Sequence, residues 1–237
     1  MTSTAYGDAN TLGQDLKGRV VVVTGGSRGI GREIVLGAAA LGAQVVFCAR
    51  TIGQAAHSVE EEAARLAGPR RVLAVQADVA CESDVEGLFD ATLRAFGRVD
   101  VVVNNAGISR EALLVSLPAD QWDQVIATNL TGAFLMSRGA IREFLKQGGK
   151  GTIVSIGSVM QHGAPSNASY AASKGGLAGL TQAIAQEYGE RGVGAYLLVV
   201  GAVETELTRD APEAMKRMFI DACPQKRQAH TGEVAAV

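Results

Sequence analysis

Tyr170 and Lys174 stand four residues apart in Ser169-Tyr170-Ala171-Ala172-Ser173-Lys174. On a helix that spacing puts a phenol and an amine on one face, one turn apart. An ammonium beside a phenol favours the phenolate, so it draws the tyrosine pKa down from about 10 toward working pH. A tyrosine tuned in this way can give a proton to a carbonyl oxygen or take one from an alcohol. Ser158 lies twelve residues upstream of Tyr170, just after the apolar run 152–156. A strand ending there aims its hydroxyl at the same place, with Ser155 as the alternative. Alone, Tyr-x-x-x-Lys is also what a solvated helix face yields by chance; the rest of the chain decides.

The elements that must position these groups are legible as an alternation. Runs 19–24, 44–49, 72–76, 99–103, 152–156 and 194–200 are strand-like, short and rich in valine. Between them, 28–41, 54–66, 82–96, 119–147 (one or two helices) and 168–191 have helical character. Near-continuous apolar strands are expected where both faces of a sheet are covered. Strands alternating with helices predict an α/β fold, a single Rossmann-like doubly wound parallel sheet of six strands.

The first strand runs directly into Thr24-Gly25-Gly26-Ser27-Arg28-Gly29-Ile30-Gly31, and a helix follows. Glycines there allow a tight turn and close approach to a pyrophosphate. The helix N-terminus offers free N–H groups and a favourable dipole. In this strand-to-helix context, Gly25, Ser27, Arg28, Gly29, Ile30 and Gly31 are expected to bind a dinucleotide. An acid at the end of the second strand would select NAD, but the chain has Cys48-Ala49-Arg50-Thr51. Arg28 and Arg50 are suited to a ribose 2′-phosphate, so the expected cofactor is NADP(H). The alternative is that both arginines face water. Asp78 and Val79 follow the third strand, with Asp78 placed to meet an adenine amino group or to serve as an N-cap; Ser83 and Asp84 make better caps. Asn105, Ala106 and Gly107 follow the fourth strand, where small residues let the chain pass close to a cofactor.

Bulk properties narrow the function classes. Hydrophobic residues make up 47% of the 237, enough for a large core, and the net charge of −2 gives no electrostatic case for nucleic acid or an anionic membrane. No apolar run approaches the roughly 20 residues of a membrane span. Residues 1–15 are polar, lack the features of a signal peptide and read as a flexible tail. Three scattered cysteines, Cys48, Cys81 and Cys223, suit a reducing cytoplasm and have no metal-ligand spacing. The three histidines are isolated, and no metal is expected.

Together these motifs resemble the short-chain dehydrogenase/reductase family in its classical type, from about Leu16 to Thr208. Carrying the likeness are Thr24–Gly31, Asn104-Asn105-Ala106-Gly107, Asn129 in Thr128-Asn129-Leu130-Thr131-Gly132, Ser158, Tyr170 and Lys174. Stretches 104–114 and 122–134 are most similar to 3-oxoacyl-[acyl-carrier-protein] reductases. The resemblance implies that Tyr170 is the general acid and that Ser158 hydrogen-bonds the substrate oxygen. It implies that Lys174 binds the nicotinamide ribose and lowers the tyrosine pKa, and that Asn129 holds a water linking Lys174 to solvent. It also implies that Gly201, Val203 and Thr205 border the cofactor, with Val203 and Thr205 facing its carboxamide, and that 16–237 form one NADP-binding domain.

Two departures from the family stand out. Val200-Gly201 replaces the usual Pro-Gly, which is expected to loosen the loop over the nicotinamide, and Tyr196 replaces a small polar residue in the sixth strand. The family's seventh strand is absent, so 194–200 is expected at an exposed sheet edge, covered by a partner or belonging to a C-terminally truncated chain. Residues 205–223, with Met215, Met218, Phe219 and Ile220, are expected to form a lid over the substrate. The resemblance implies a homodimer or homotetramer through helices 119–147 and 168–191, with Ala171, Ala178, Leu180 and Ile184 in their apolar stripes. The expected activity is NADPH-dependent reduction of a small-molecule or carrier-protein-bound ketone, a 3-oxoacyl thioester or polyketide. The alternatives are an alcohol, sugar or steroid dehydrogenase of the same family, or a weakly catalytic dinucleotide-binding scaffold.

Overall fold

The structure, a computed structural model, describes residues 16–68, 70–209 and 213–237. Six parallel strands form one sheet: β1 (Val20–Thr24), β2 (Gln44–Ala49), β3 (Val72–Gln76), β4 (Val101–Asn104), β5 (Gly151–Ser158) and β6 (Val193–Val200). Their spatial order is β3-β2-β1-β4-β5-β6. The chain winds outward from β1 in one direction to β3, then returns to β4 and winds the other way. The order therefore reverses between β1 and β4, and the crevice beyond their carboxyl ends is where an open α/β sheet places a ligand.

Helices cover both faces: α1 (Gly29–Ala40), α2 (Gln54–Ala67), α3 (Glu82–Phe96), α4 (Ala119–Ile126), α5 (Gly132–Lys146) and α6 (Ala168–Tyr188). Alternating valines divide the core. Val22, Val46 and Val102 meet Leu88 of α3, Met136 and Phe144 of α5 and Ile184 of α6. Val21, Val23, Val45 and Phe47 meet Val35 and Leu36 of α1 and Val59 and Ala63 of α2. Runs of valine are thus buried on both sides, which is why they read as continuous rather than alternating.

The expected 119–147 segment divides into α4 and α5 around one wide π turn, Ala127–Thr131. Strand β5 is longer than the apolar run predicts and carries Ser158 as its last residue. In the β5–β6 register Ser158 is opposite Val200, so the residue that replaces the family proline ends a full-length ladder. Strand β6 does form a sheet edge, with Tyr196 60% and Val199 41% exposed. The Tyr196 ring lies over Gly194, where an added Cβ would fall 2.9 Å from the ring, so the bulky residue is accommodated.

After β6 come α7 (Glu206–Arg209), α8 (Glu213–Ala222) and α9 (Thr231–Ala235). The expected lid helix exists as α8, with Phe219 and Ile220 half-buried; the Met215 and Met218 side chains and the expected tail, 1–15, lie outside the described residues. Of the expected dimer stripe, Ile184 is buried and Leu180 packs against the core, so both serve the monomer. Among the described residues no helix is long and apolar enough to cross a membrane.

Candidate active site

Tyr170 and Lys174 lie on the first two turns of α6 and face the crevice. Gly176 on the same helix explains how closely α6 approaches the π turn, since an added Cβ would fall 2.7 Å from Leu130 Cδ2. Lys174 is buried and donates from Nζ to the Ile156 carbonyl of β5 at 2.6 Å. The same nitrogen is 5.7 Å from the centroid of the Tyr170 ring. The hydroxyl of Ser158, at the end of β5, acts on the Tyr170 phenol and draws its pKa down. Ser158 Oγ also accepts from Met160 N at 3.2 Å, which fixes its rotamer. Ser155 instead packs inward, within reach of Asn104 Nδ2 at 3.3 Å, and is buried.

The electrostatics differ from the sequence expectation. Burial pushes the Lys174 amine down to about 8. Burial also holds the Tyr170 phenol above its ordinary value, opposed by the hydrogen bond from Ser158. The expected lowering of the tyrosine by lysine is therefore overridden: the two groups are desolvated together, and the ammonium is turned to the Ile156 carbonyl. A phenol held protonated is the form that can donate a proton to a carbonyl.

Asn129 sits in the π turn, buried. Its Nδ2 donates to the Ile108 carbonyl (2.9 Å) and to Ser173 Oγ (3.0 Å), and its Oδ1 accepts from Ile108 N (2.8 Å). Ser173 in turn donates to the Tyr170 carbonyl at 2.8 Å. One side chain thus ties the turn after β4 to the helix bearing Tyr170. Wide turns of this kind are often found at functional sites.

The crevice in front of these groups is a cleft of about 840 Å³. Its near wall is the glycine turn. An added Cβ at Gly31 would strike the Gly25 carbonyl and the Asn105 amide, so only glycine fits. Arg28 is the N-cap of α1 and makes no side-chain cap bond, which leaves first-turn N–H groups for an anion. Gly25, Ser27, Arg28, Gly29 and Ile30 line the cleft, as do Arg50, Thr51, Asp78, Val79, Asn105, Ala106, Gly107 and Thr205; Gly31 lies behind them, buried. Asn105 is pinned by its side-chain bonds to Thr24 O (2.8 Å) and Gly25 O (3.2 Å), which keeps the Ala106–Gly107 backbone along the cleft. These residues fit a dinucleotide: a turn whose Gly31 admits no Cβ, an N-cap without a side-chain bond, and two guanidinium groups in the cleft wall.

Several expectations need correction. Val203 is buried and bridges to Ala229, and Gly201 lies exposed past the end of β6; neither lines the cleft. Asp84 does not cap α3: its carboxylate accepts from Asp78 N at 2.9 Å, while Cys81 occupies the cap position without a side-chain cap bond. The Asp78 carboxylate accepts from Ala80 N at 3.0 Å, closing its own turn rather than capping a helix. The sequence reading missed Ile108, Thr128 and Glu206, all in the cleft wall. Glu206 meets Arg28 at 3.2 Å. Its place directly after the cofactor-bordering Thr205 is the one signal that pointed to it.

A groove of about 880 Å³ lies at the opposite, amino-terminal end of the strands, lined by Leu16, Ile34, Val101 and Tyr196. Its acid, Asp100, is buried and engaged by Arg98, Arg19 and the Val20 amide. Its lining includes Tyr196 and Lys150 but none of the glycine-turn residues 25–31.

Comparison with known proteins agrees with this geometry. A family model described as short chain dehydrogenase matches residues 19–216. A 3-oxoacyl-[acyl-carrier-protein] reductase of Synechocystis is 38% identical over 93% of this chain and 87% of its own. One from Pseudomonas aeruginosa is 37% identical over 94% of this chain and 89% of its own. Among solved structures, a short-chain type dehydrogenase/reductase from Mycobacterium marinum superposes with a TM-score of 0.87 at 30% identity, covering 93% of this chain and 87% of that one. A levodione reductase does so with a TM-score of 0.87 at 32% identity, covering 93% and 89%.

Proposed function

Because the chain belongs to the short-chain dehydrogenase family, and is therefore an oxidoreductase of the CH–OH/C=O pair, we propose that it uses NADPH to reduce a 3-oxoacyl thioester to the secondary alcohol. The observation that carries this reading is the Tyr170 phenol, acted on by the Ser158 hydroxyl and beside the Lys174 amine, at the cleft that the glycine turn borders. The names of the two curated relatives favour the acyl thioester.

NADPH, when bound, supplies the hydride. Tyr170 keeps its proton on the phenol oxygen and passes it to the carbonyl oxygen as negative charge builds there. Ser158 donates a hydrogen bond to that oxygen, which orients the ketone and stabilises the developing alkoxide. Lys174 holds the nicotinamide ribose through its amine and stabilises the phenolate that Tyr170 becomes. Asn129 is a positioning residue that keeps Ile108 and Ser173 in register with Tyr170. Arg28 and Arg50 take the 2′-phosphate, and Asp78 takes the adenine end. The same reading makes the protein a cytoplasmic homodimer or homotetramer; Phe134 and Leu145, exposed on α5, support an apolar contact there.

The test is NADPH oxidation with an acetoacetyl thioester and, in parallel, with levodione, for the wild type and Tyr170→Phe. Loss of the general acid is expected to lower kcat by at least about 100-fold. Equal rates in the two proteins overturn the role of Tyr170. Turnover of levodione without the thioester overturns the acyl assignment and leaves the carbonyl chemistry standing.

A further inference from the structure

Arg28 does not point freely into the cleft. From the N-cap of α1 its guanidinium reaches across to Glu206, the first residue of α7, with Nη1 3.2 Å from Oε2. The two walls meet at this point: an added Cβ at Gly29 would lie 3.9 Å from Thr205 Cγ2. Arg50 lines the same cleft and makes no ion pair among the described residues. Of the two cations expected at the 2′-phosphate, one is free and the other is already held by a carboxylate.

From this arrangement we infer that Glu206 is a specificity-determining residue for the ribose 2′ substituent, acting as an internal competitor that holds Arg28 until a 2′-phosphate displaces it. The inference rests on the NADP reading above. A phosphate dianion offers a guanidinium more charge and more acceptor oxygens than one exposed carboxylate, so it wins the exchange. A ribose hydroxyl is neutral and does not, so a 2′-hydroxyl cofactor leaves Arg28 on Glu206. The exposed ion pair is weak, as a competitor that must yield has to be. Its presence lowers affinity for the phosphorylated ribose and leaves affinity for the unphosphorylated one unchanged.

Calorimetry with adenosine 2′,5′-bisphosphate and with 5′-AMP, at low salt, tests this on the full chain, wild type beside Glu206→Gln. Both residues are exposed, so the variant is expected to fold, and a matching thermal melt checks it. The expected result is binding of adenosine 2′,5′-bisphosphate about threefold tighter in Glu206→Gln, with 5′-AMP unchanged. The gain should shrink at high salt, as screening removes a surface pair. Equal affinities in the two proteins, or an equal gain for both nucleotides, overturn the competitor role while leaving NADP preference intact. A wild type that binds both nucleotides alike overturns the NADP reading and this inference with it.

Discussion

Lys174 gives its ammonium to the carbonyl oxygen of Ile156, a helix donating to the strand beside it at 2.6 Å. That bond holds the amine out of solvent, where burial pushes it down to about 8. In the unfolded chain the same group titrates near 10.4. Below about pH 8 both states are protonated and the full cost of burial is present. Above that, the folded chain has released a proton that the unfolded chain still binds, so stability rises with pH until about pH 10.4. In Lys174→Met this dependence vanishes. Urea unfolding should show the wild type gaining about 2 kcal/mol relative to the variant between about pH 7.5 and about pH 10. Parallel pH profiles for the two proteins would mean that Lys174 is not desolvated in the fold.

Asn129 carries a second testable consequence. Asn129 itself is buried; its two bonds to Ile108 are part-buried and its bond to Ser173 is buried. Truncation removes all three bonds and leaves the buried Ser173 hydroxyl without that donor, at a cost on the order of 2 kcal/mol. Asn129→Ala should therefore lower the urea midpoint and also kcat, since the Ile108 turn and Tyr170 lose their common anchor. If the midpoint is unchanged, the clamp contributes nothing to the fold.

These two residues also mark the limit of sequence reading. The valine strands, the glycine turn and the Tyr170–Lys174 spacing were all legible, because each follows from local periodicity or from residues near in the chain. Asn129 was visible as a motif, but its bonds were not: they join segments 21 and 44 residues away. Strand β5 ran past its apolar stretch because its ladder with β6 continues through Gly157 and Ser158. Pairing with a neighbour sets that length, and side-chain hydropathy does not report it. The tyrosine pKa was misjudged for a related reason. Spacing puts an amine near a phenol, but only the packed fold reveals that both are desolvated and that the amine already has a carbonyl partner. Glu206 pairs with a residue 178 positions away, a contact that its place next to Thr205 does not reveal.

Gly31 makes a packing prediction. A Cβ there meets the Gly25 carbonyl and the Asn105 amide, and the first of these is backbone that cannot rotate away. Gly31→Ala should cost about 1–3 kcal/mol, as overpacking does, and should weaken dinucleotide binding because the turn must open to relieve it. Chemical denaturation and calorimetry with NADPH read the two effects separately. A variant as stable as the wild type would show that the turn is pliable.

Arg50 makes the last prediction, and it separates charge from shape. The side chain is exposed at the rim of the cleft, so Arg50→Gln removes a cation without disturbing the core. A guanidinium facing a phosphate dianion contributes a charge-assisted bond, roughly twice as strong as a neutral one. A guanidinium facing a hydroxyl contributes little. The variant should therefore raise KM for NADPH about tenfold and leave KM for NADH within about twofold, a difference near 1.4 kcal/mol. The melting temperature should stay where it is, because an exposed arginine with no ion-pair partner among the described residues contributes little to the fold. An equal rise in both KM values would place Arg50 on a part that the two cofactors share, and the 2′-phosphate would then fall to Arg28 alone.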